Sequence, residues 1–248
     1  MSLPVHRVPT LAGVRVGEVV EVTGAEAHHA VAVRRLRVGE QVVLTDGLGL
    51  AAQGEVTGTG KRLLAVTVSA LEQTPRPSPA FTVVQALPKG DRGELAVEVL
   101  TEVGVDVVVP WAAARSVAVW RGERAVKSHA KWVATAAEAA KQARRSWFPE
   151  VRELATTAEV CDLVAGLGAD GLAVVLHEDA ADPLPALPDS AREVVLVVGP
   201  EGGISPEELA ALTDAGARVA RLGSEVLRTS TAGVAAVAAL MARSARWR

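Results

Sequence analysis

Two short runs of almost purely apolar residues place the strongest limit on how this chain folds. Leu172–Leu176 and Val194–Val198 each carry five consecutive apolar side chains. A strand with one face in water alternates apolar and polar residues, whereas a strand of a parallel sheet, covered on both faces, is apolar throughout. Both runs lie among segments with helical patterns, and such alternation is typical of an α/β domain. We therefore predict a C-terminal α/β domain built on a parallel sheet.

The first part of the chain has a different pattern, with short β-branched runs separated by glycine-rich turns. Asp46-Gly47 is a hairpin signal, and the predicted strands are Val19–Val22, Gln41–Thr45, Gly54–Thr57 and Leu63–Val68. Neither a helix nor a central strand can continue through the three closely spaced prolines Pro75, Pro77 and Pro79. We therefore predict a small β-barrel over residues 1–72, a linker over 73–80 and the α/β domain over 81–248.

Within the α/β domain, apolar runs alternate with helix signals. The further predicted strands are Phe81–Leu87, Val105–Val109, Val151–Leu154 and Val219–Leu222. The predicted helices are Asp91–Val103 with its Asp91 carboxylate as N-cap, Glu123–Arg145, Ala158–Gly166, a helix with a capping box opened by Ser205-Pro206-Glu207-Glu208, and Thr231–Arg243. Gly166–Gly171 has the spacing of a dinucleotide-binding fingerprint, but it follows a helix and precedes a strand, the reverse of the required order. We interpret it as a turn.

Composition favours a compact protein of the cytoplasm. Hydrophobic residues make up 49% of the chain and its mean hydropathy is +0.25, which provides enough apolar surface for a folded core. The single cysteine, Cys161, permits no internal disulfide. The N-terminal residues lack the apolar segment of a signal peptide, and the longest strongly apolar run, about residues 231–242, is too short to cross a bilayer. We expect a cytoplasmic location and no membrane segment.

The net charge of −3 conceals a strong segregation of charge. Residues 115–152 hold nine Lys and Arg against three acids, a net +6, and residues 218–248 hold six Arg against one acid, a net +5. Residues 153–214 hold one Arg against thirteen acids, a net −12. Such a chain can present a basic face to phosphates while an acidic face stays in water. The alternative is a set of ordinary solvated helix faces.

Three loops that follow predicted strands are rich in glycine or polar residues. The first is Gly199-Pro-Glu-Gly-Gly203-Ile204, the second is Gly223-Ser224-Glu225 after Leu222, and the third is His177-Glu178-Asp179 after Leu176. Open α/β sheets bind ligands at the carboxyl ends of their strands, and glycine lets a ligand approach the backbone closely. The three loops therefore predict one shared pocket, although the first loop alone could equally be an anion nest or a structural turn.

The same loops resemble the signature of a known family. Gly199-Pro-Glu-Gly-Gly203 with Leu222-Gly-x-x-x-Leu-Arg-Thr-x-Thr-Ala232 is similar to the signature of the SPOUT superfamily of RNA methyltransferases. The resemblance is strongest to the branch that methylates N3 of a uridine in small-subunit ribosomal RNA, the RsmE type, and it covers nearly the whole chain. Further matching segments are Arg34-Arg-Leu-Arg37, Leu87-Pro-Lys-Gly-Asp-Arg92, Thr101-Glu-Val-Gly104, Arg115-Ser116 and Ala139-Ala-Lys-Gln142-Ala-Arg144-Arg145. Two departures concern substrate contact: Ser230 stands where the pattern often has Glu, and Ala113-Ala114 replaces polar residues.

The resemblance implies a fold, a cofactor and partners. The fold is a SPOUT domain with a deep trefoil knot, preceded by a PUA-like RNA-binding barrel. The cofactor is S-adenosyl-L-methionine, and the partners are 16S ribosomal RNA or the small ribosomal subunit and a second copy of the chain, as a homodimer. The last helix supports the homodimer, because it is apolar nearly all round and needs cover on more than one side.

The resemblance also implies which residues bind the cofactor and the RNA. The cofactor would contact the three loops at Leu176, His177, Glu178, Gly199, Pro200, Glu201, Gly202, Gly203, Ile204, Leu222, Gly223, Ser224, Leu227 and Arg228. The RNA would contact basic residues of both domains, namely Arg7, Arg34, Arg35, Arg37, Lys89, Arg92, Arg115, Arg144 and Arg145.

Two residues are candidates for the chemistry. When N3 of uracil loses its proton, negative charge spreads to the flanking carbonyl oxygens, and a guanidinium aimed at one of them would stabilise it. Arg228 is the candidate for this role, unless it merely ties its loop to Glu201 or Glu225. The proton acceptor could be Glu201, water or a group of the partner subunit. His177 fits a pocket wall better than a general base, and no metal is predicted, because His28-His29 lacks further ligands at metal spacing.

Two other functions stay open at this point. One is a SPOUT enzyme that methylates another RNA position, such as a ribose 2′-hydroxyl. The other is a catalytically silent RNA-binding or ribosome-assembly factor that uses only the barrel and the basic faces. Intact cofactor loops with Arg228 favour the enzyme.

Overall fold

The chain folds into two compact units. The computed structural model describes residues 3–247. The first unit contains the residues up to Arg76 together with Ala140–Phe148, and the second contains Pro77–Ala139 and the residues from Pro149 onward. The segment 140–148, which the sequence assigned to the α/β domain, is therefore part of the first unit.

The first unit is a five-stranded sheet with the strand order β1-β3-β4-β5-β2. Its strands are β1 (Val5–Arg7), β2 (Val19–Thr23), β3 (Gln41–Thr45), β4 (Leu50–Gly60) and β5 (Leu63–Gln73). All pairs are antiparallel except β1 with β3. A helix α1 (Gly24–His28) and one π-helical turn (His29–Val33) follow β2. The four predicted strands are confirmed, whereas β1 and the helical segment were missed.

The long β4–β5 hairpin depends on a glycine within its register irregularity. The pairing of the two strands shifts between Gln53 and Gly54. A Cβ on Gly54 would lie 2.4 Å from the carbonyl oxygen of Thr67, a backbone atom that cannot move aside. Only glycine therefore fits where the bulge brings the two backbones together. Alternate side chains of the hairpin, such as Val56, Leu64 and Val66, fill the core of this unit.

The second unit is a six-stranded parallel sheet with the strand order β11-β9-β10-β6-β7-β8. The strands are β6 (Ala80–Ala86), β7 (Val107–Trp111), β8 (Glu150–Val151), β9 (Gly171–Leu176), β10 (Glu193–Val198) and β11 (Arg218–Ala220). The helices are α2 (Arg92–Val103), α3 (Gly122–Gln142), α4 (Thr157–Ala165), α5 (Pro206–Asp214) and α6 (Thr229–Met241), and a short 3-10 helix (Ala245–Trp247) follows. The predicted α/β architecture is confirmed.

The sheet separates two apolar cores, as its uninterrupted apolar strands require. Along β10, Leu196 enters one core with side chains of α2 and α6, and Val197 enters the other with side chains of α4 and α5. Leu100 and Leu240 belong to the first core, and Leu212 belongs to the second. Both faces of β9 and β10 are therefore covered by apolar side chains, which explains why neither strand alternates apolar and polar residues.

Several predicted boundaries and one cap need correction. Strands expected at 105–109, 151–154 and 219–222 occupy 107–111, 150–151 and 218–220, and the last helix spans 229–241 instead of 231–243. The Asp91 side chain makes no capping hydrogen bond. The Ser205–Glu208 capping box is confirmed. Gly166–Gly171 does form a turn between α4 and β9, in which the Gly171 N–H donates to the Gly168 carbonyl.

Helix α3 ends three residues earlier than predicted, at an arginine in the left-handed conformation. Arg144 has φ +55°, the Arg145 N–H donates to the Ala140 carbonyl, and the Arg144 N–H donates to the Lys141 carbonyl. This is the hydrogen-bonding pattern of a Schellman helix end, whose left-handed position is usually glycine. Nothing in the sequence signals the end, because the residue that makes it is not glycine.

A nearly buried ionic cluster in the first unit joins the end of α3 to the sheet. Glu26 accepts hydrogen bonds from His6 Nδ1 at 3.0 Å and from Lys141 Nζ at 2.9 Å, and the side chains of His6 and Lys141 are only 1% and 8% exposed. Burial alone would raise the pKa of Glu26, but the hydrogen bonds from His6 and Lys141 and the charge of Lys141 outweigh it and lower that pKa to about 2. The Glu26 carboxylate is therefore held in its charged form.

We predict that the stabilisation by Glu26 depends on pH. Its pKa rises from about 2 to the ordinary value of 4.5 on unfolding, so the stabilising effect is complete above about pH 5 and is lost as the pH falls toward 2. Glu26→Gln should lower the free energy of unfolding by about 3 kcal/mol at pH 6, and the difference from wild type should shrink at pH 3. Urea denaturation followed by circular dichroism measures both values.

The matched control for this experiment is Glu55→Gln in the same sheet. The Glu55 carboxylate is exposed and accepts only one long hydrogen bond, 3.4 Å from Gln41. Its substitution should change the free energy of unfolding by less than about 0.5 kcal/mol at either pH. A Glu26→Gln effect that stays constant between pH 6 and pH 3 would contradict the assignment.

Candidate functional site

Parallel pairing brings the ends of three strands to one edge of the second unit's sheet. In the register of the sheet, Val198 at the end of β10 lies opposite Leu176 at the end of β9, and Leu176 lies opposite Ala220 at the end of β11. The three loops that leave these strands therefore start side by side. This placement is where open α/β sheets bind ligands.

The three loops and the first turn of α6 form one pocket. It encloses about 670 Å³ of empty space, with open solvent at its mouth included. The residues that line it are Leu176, His177, Glu178, Val198, Gly199, Pro200, Gly203, Ile204, Ala220, Arg221, Leu222, Glu225, Val226, Leu227, Thr229 and Ala232. The walls are mainly apolar, and two carboxylates, those of Glu178 and Glu225, are among the polar groups.

Nine of the fourteen residues predicted to bind the cofactor line this pocket. The other five, Glu201, Gly202, Gly223, Ser224 and Arg228, belong to the same loops but are not among its lining residues. The sequence reasoning missed seven lining residues, namely Val198, Ala220, Arg221, Glu225, Val226, Thr229 and Ala232. Val198 and Ala220 are the last residues of their strands, and Thr229 and Ala232 lie in the first turn of α6. Extending the first loop back by one residue, and the second back to the end of β11 and forward into the first turn of α6, would have found them.

The first loop is shaped by tight contacts around its glycines. Gly203 has φ +73°, a left-handed conformation that favours glycine, and its N–H donates to the Pro200 carbonyl. A Cβ on Gly199 would lie 2.7 Å from Cγ1 of Ile204. The Thr229 hydroxyl donates to the Gly199 carbonyl at 3.1 Å, so the loop is tied to the start of α6. The loop is thus a fixed wall of the pocket.

Gly202 is not among the lining residues of the pocket, and its Cβ position points to Arg115. A Cβ at this position would lie 3.2 Å from both Cβ and the carbonyl oxygen of Arg115, and Arg115 Nη1 donates to the Gly202 carbonyl at 3.3 Å. A larger residue at 202 would therefore act through the segment that carries Arg115. At Gly223, φ is +113°, so a side chain there is strained by the backbone itself.

A buried carboxylate that the sequence revealed only as a helix cap holds the Arg115 segment in place. Glu208 is 6% exposed, and one of its oxygens accepts hydrogen bonds from the Ala114 N–H at 2.8 Å and the Thr157 hydroxyl at 2.9 Å. Its other oxygen accepts from the Ser205 N–H at 3.2 Å. Three donors therefore satisfy the buried charge and fix the residues beside the first loop.

The pocket has the features that S-adenosylmethionine needs. Apolar side chains such as Leu176, Ile204 and Leu222 can cover an adenine ring, and the carboxylates of Glu178 and Glu225 suit a ligand that carries positive charge on its sulfonium and amino groups. His177 Nδ1 accepts the Asp179 N–H at 3.2 Å, which gives this side chain a structural role in the third loop. The residues present therefore fit the cofactor.

Comparison with known proteins identifies the family. The model of an RNA methyltransferase domain matches residues 74–241, and the model of an RNA methyltransferase PUA domain matches residues 22–69. A protein of Mycobacterium bovis named ribosomal RNA small subunit methyltransferase E is 46% identical over 233 residues, which cover 93% of this chain and 89% of that protein. This chain belongs to that family.

Two further relatives agree with this assignment. A Bacillus subtilis protein of the same name is 29% identical over 88% of each chain. The crystal structure of a ribosomal RNA small subunit methyltransferase E from Neisseria gonorrhoeae, bound to S-adenosyl methionine, has a TM-score of 0.86 at 26% identity and covers 97% of this chain and 98% of that one. The N-terminal unit of this methyltransferase family member is thus PUA-like, as the resemblance implied.

The two candidate catalytic residues of this methyltransferase have different surroundings. Arg228 stands at the N-cap position of α6, its side chain is exposed, and it forms no ion pair within residues 3–247. Glu201 accepts the Lys89 N–H at 3.1 Å and 3.3 Å and a hydrogen bond from Arg92 Nη1 at 3.4 Å. Arg228 therefore forms no ion pair with Glu201 or Glu225. Glu201 instead holds the loop before α2 through its hydrogen bonds to Lys89 and Arg92.

The basic residues expected to contact RNA fall into two sets. In the second unit, Lys89, Arg92 and Arg115 all contact the Glu201-Gly202 segment. In the first unit, the side chains of Arg7, Arg34, Arg35, Arg37 and Arg144 are exposed, and that of Arg145 is partly buried. Arg7 lies over the Phe148 ring at 5.5 Å. Arg35 and Arg144 are the two non-glycine residues with positive φ among the described residues.

Neither a metal centre nor a membrane span is visible in the described part of the chain. Residues 3–247 contain no group of three or more His, Cys, Asp or Glu arranged to hold a metal ion. None of the helices described within this range is long and apolar enough to span a bilayer. His28 and His29, predicted to form a turn or surface pair, lie where α1 passes into the π-helical turn.

Proposed function

We propose that this protein uses S-adenosylmethionine to methylate N3 of a uridine in 16S ribosomal RNA. The observation that carries the proposal is the pocket at the carboxyl edge of β9, β10 and β11, combined with membership of a family whose Neisseria gonorrhoeae member was solved with this cofactor. Relatives named for the small ribosomal subunit support the substrate, and a ribosomal RNA substrate supports a cytoplasmic location. The trefoil knot implied by the resemblance stays a prediction.

The reaction requires orientation and charge stabilisation more than covalent catalysis. The bound cofactor supplies a methyl group made electrophilic by its sulfonium. As the new C–N bond forms and the C–S bond breaks, the uracil N3 proton leaves and charge spreads to the two carbonyl oxygens of the base. The protein must hold the uracil nitrogen in line with the methyl group and stabilise that charge.

Arg228 is the residue best placed for this stabilisation. Its carbonyl oxygen accepts the N–H groups of Thr231 and Ala232 at 2.9 Å, so its backbone is fixed by the first turn of α6. The neighbouring residues Leu227 and Thr229 line the cofactor pocket. An exposed guanidinium without an ion pair in the described structure can contact a substrate oxygen without first breaking another interaction.

We expect Arg228→Ala to lower kcat about 100-fold and to leave the Kd of S-adenosylmethionine within about threefold, because one donor to a developing oxyanion is typically worth that much. Methyl transfer to 16S ribosomal RNA, with nucleoside mass spectrometry of the product, measures the rate and should show 3-methyluridine. Arg243→Ala, an exposed arginine just beyond the same helix, is the control and should be unaffected. A ribose-methylated product from wild type would contradict the proposed function.

We further propose that Glu201 is a positioning residue and not the proton acceptor. Its two oxygens already bind Lys89 and Arg92, and this holds the loop before α2 against the first loop of the pocket. The proton then leaves to water or to a group of the partner subunit.

The conservative variant of Glu201 distinguishes the two roles. Glu201→Ala should raise KM for RNA about tenfold, since hydrogen bonds to a charged group contribute about 1.5–3 kcal/mol. Glu201→Gln keeps an acceptor oxygen and should restore most of the loss, with an unchanged pH profile of kcat. If Glu201 were the proton acceptor, the Gln variant would be as inactive as the Ala variant.

We infer that the arginines of the first unit bind RNA phosphates. Arg35 and Arg144 keep φ near +58° and +55°, a conformation that costs a non-glycine residue about 1 kcal/mol or more. Strain of this kind is retained where the side chain has a function. The exposed positions of Arg34, Arg37 and Arg7 agree with contact to an extended polyanion.

The variant Arg144→Gly distinguishes the effect of Arg144 on RNA binding from its effect on the stability of the fold. Glycine removes the guanidinium but suits the left-handed helix end, so the variant should be about 1 kcal/mol more stable than wild type and yet bind RNA more weakly. The slope of log K against log salt should become shallower by roughly 0.7–0.9. Lys61→Ala, at the β4–β5 turn and outside the predicted set, is the control. An unchanged slope for Arg144→Gly would make this residue part of an ordinary solvated surface.

We also propose the homodimer, on the evidence of α6. Leu240 and Met241 fill the core of their own unit, whereas Ala235, Ala238, Ala239 and Ala242 remain partly or fully exposed. A row of alanines on a helix allows a partner backbone to approach closely. Sedimentation equilibrium at micromolar concentration should give twice the 25.7 kDa chain mass, and an active monomer would contradict the proposal.

A further inference from the structure

A second pocket of similar size lies in the same unit, apart from the cofactor pocket. It encloses about 690 Å³ of empty space on the same measure, solvent at its mouth included. Its walls come from the loop before α2 and the start of that helix, from the segment before α3, and from one face of α3, where Arg124, Ser128, Lys131 and Trp132 follow one another at helical spacing. We call it the Trp120 cleft.

Two tryptophans give the cleft a rigid aromatic wall. The rings of Trp120 and Trp132 pack edge to face, with centroids 5.0 Å apart and an interplanar angle of 80°. Trp132 is 2% exposed and lies so close to α2 that a Cβ on Gly93 would be 2.8 Å from its ring. Trp120, by contrast, is only partly buried. Because the buried ring fixes the partly exposed one, a ligand that stacks on Trp120 loses little energy in ordering it.

The polar groups of the cleft are incompletely satisfied. Lys131 Nζ binds Glu94 Oε1 at 2.9 Å, but Glu94 Oε2 is buried and has no hydrogen-bond partner. A buried acceptor without a donor is destabilising, so a ligand that supplies a donor gains affinity from this contact. Arg124 is exposed and forms no ion pair with the described residues. The cleft thus combines the aromatic surface of Trp120, a carboxylate oxygen of Glu94 without a hydrogen-bond donor among the described residues, and the exposed guanidinium of Arg124, which can bind an anion.

The cleft and the cofactor pocket share one loop. Pro88, Gly90 and Asp91 line the cleft, and between them the Lys89 N–H donates to Glu201 in the first loop of the cofactor pocket. The loop that forms one wall of the cleft is thus hydrogen-bonded to the first loop of the cofactor pocket. The cleft is therefore placed to receive a residue adjacent to the one that reacts.

We propose that the Trp120 cleft binds one nucleotide of the RNA substrate beside the methylated uridine. Its base stacks on Trp120, an exocyclic amino group of that base donates to Glu94 Oε2, and its phosphate binds Arg124. The chemistry selects adenine, cytosine or guanine over uracil, which has no exocyclic amino group. This assignment rests on the proposed function, because it takes RNA as the substrate.

Mononucleotides test the cleft without reference to activity. Cytidine and uridine 5′-monophosphate have the same ring size but carry an amino group and a carbonyl, respectively, at the same position. In ¹⁵N-labelled full-length protein, the Trp120 indole N–H signal, assigned by its absence in Trp120→Phe, should shift on titration with the cytidine nucleotide. The uridine nucleotide should bind at least threefold more weakly. No shift with either nucleotide, or equal binding of both, would overturn the proposal.

Variants connect the cleft to the RNA substrate. Trp120→Leu should raise KM for 16S ribosomal RNA about tenfold with a smaller effect on kcat, because the base loses the aromatic surface on which it stacks. Trp247→Leu, an exposed tryptophan at the C-terminal end of the unit, is the control and should behave as wild type. An unchanged KM in Trp120→Leu would overturn the proposal.

A surface variant keeps the test decisive if Trp120→Leu does not fold. Arg124→Gln removes no packing, and it should make the salt dependence of RNA binding shallower by roughly 0.7–0.9. An unchanged slope would overturn the phosphate contact. If wild type transfers no methyl group to the RNA while the cytidine nucleotide still shifts the Trp120 signal, the proposed function fails and the nucleotide cleft stands.

Discussion

Parallel pairing of β9, β10 and β11 is the constraint on which the candidate site depends. Because Leu176 lies opposite both Val198 and Ala220, the chain leaves the sheet three times at the same end, with neighbouring exits about 4.8 Å apart. Each exit needs an irregular loop whose backbone groups have no strand neighbours. Two features stabilise these irregular loops. Gly203 and Gly223 adopt left-handed conformations, and the Thr229 hydroxyl donates a hydrogen bond to the Gly199 carbonyl. The pocket is thus a consequence of sheet register as much as of loop sequence.

Two carboxylates beside this site accept hydrogen bonds from backbone N–H groups that are distant in sequence, and these bonds join separate segments of the chain. Glu201 accepts from Lys89, and Glu208 accepts from Ala114, across separations of 112 and 94 residues. Each contact is a charge-assisted hydrogen bond, stronger than one between neutral groups. Both glutamates lie in the strongly acidic stretch 153–214, whose charge looked like that of a solvated surface. Part of that charge instead holds backbone segments in place through hydrogen bonds, while Arg228 has no acidic partner among the described residues.

The sequence predicted the parts of this structure that depend on local pattern. Apolar runs located β9 and β10, the capping box located the start of α5, and strand–loop order located nine of the pocket residues. It did not predict that residues 140–148 belong to the first unit, because that depends on Lys141 meeting Glu26, 115 residues away. The end of α3 was missed for a related reason. Arginine at a left-handed position has no local signal, and only the final hydrogen bonds reveal it.

One loop, Pro88–Asp91, links the chemistry to the recognition of substrate. It contacts the cofactor loop through Lys89 and Glu201, and it forms a wall of the Trp120 cleft through Gly90 and Asp91. Gly90 has φ +68° and no atom near its Cβ position, so the loop has room to adjust without repacking a core. If a ligand that shifts this loop from one side changes the affinity of the other pocket, linkage makes that effect equal in both directions. The Lys89–Glu201 hydrogen bond is the contact through which such coupling would pass.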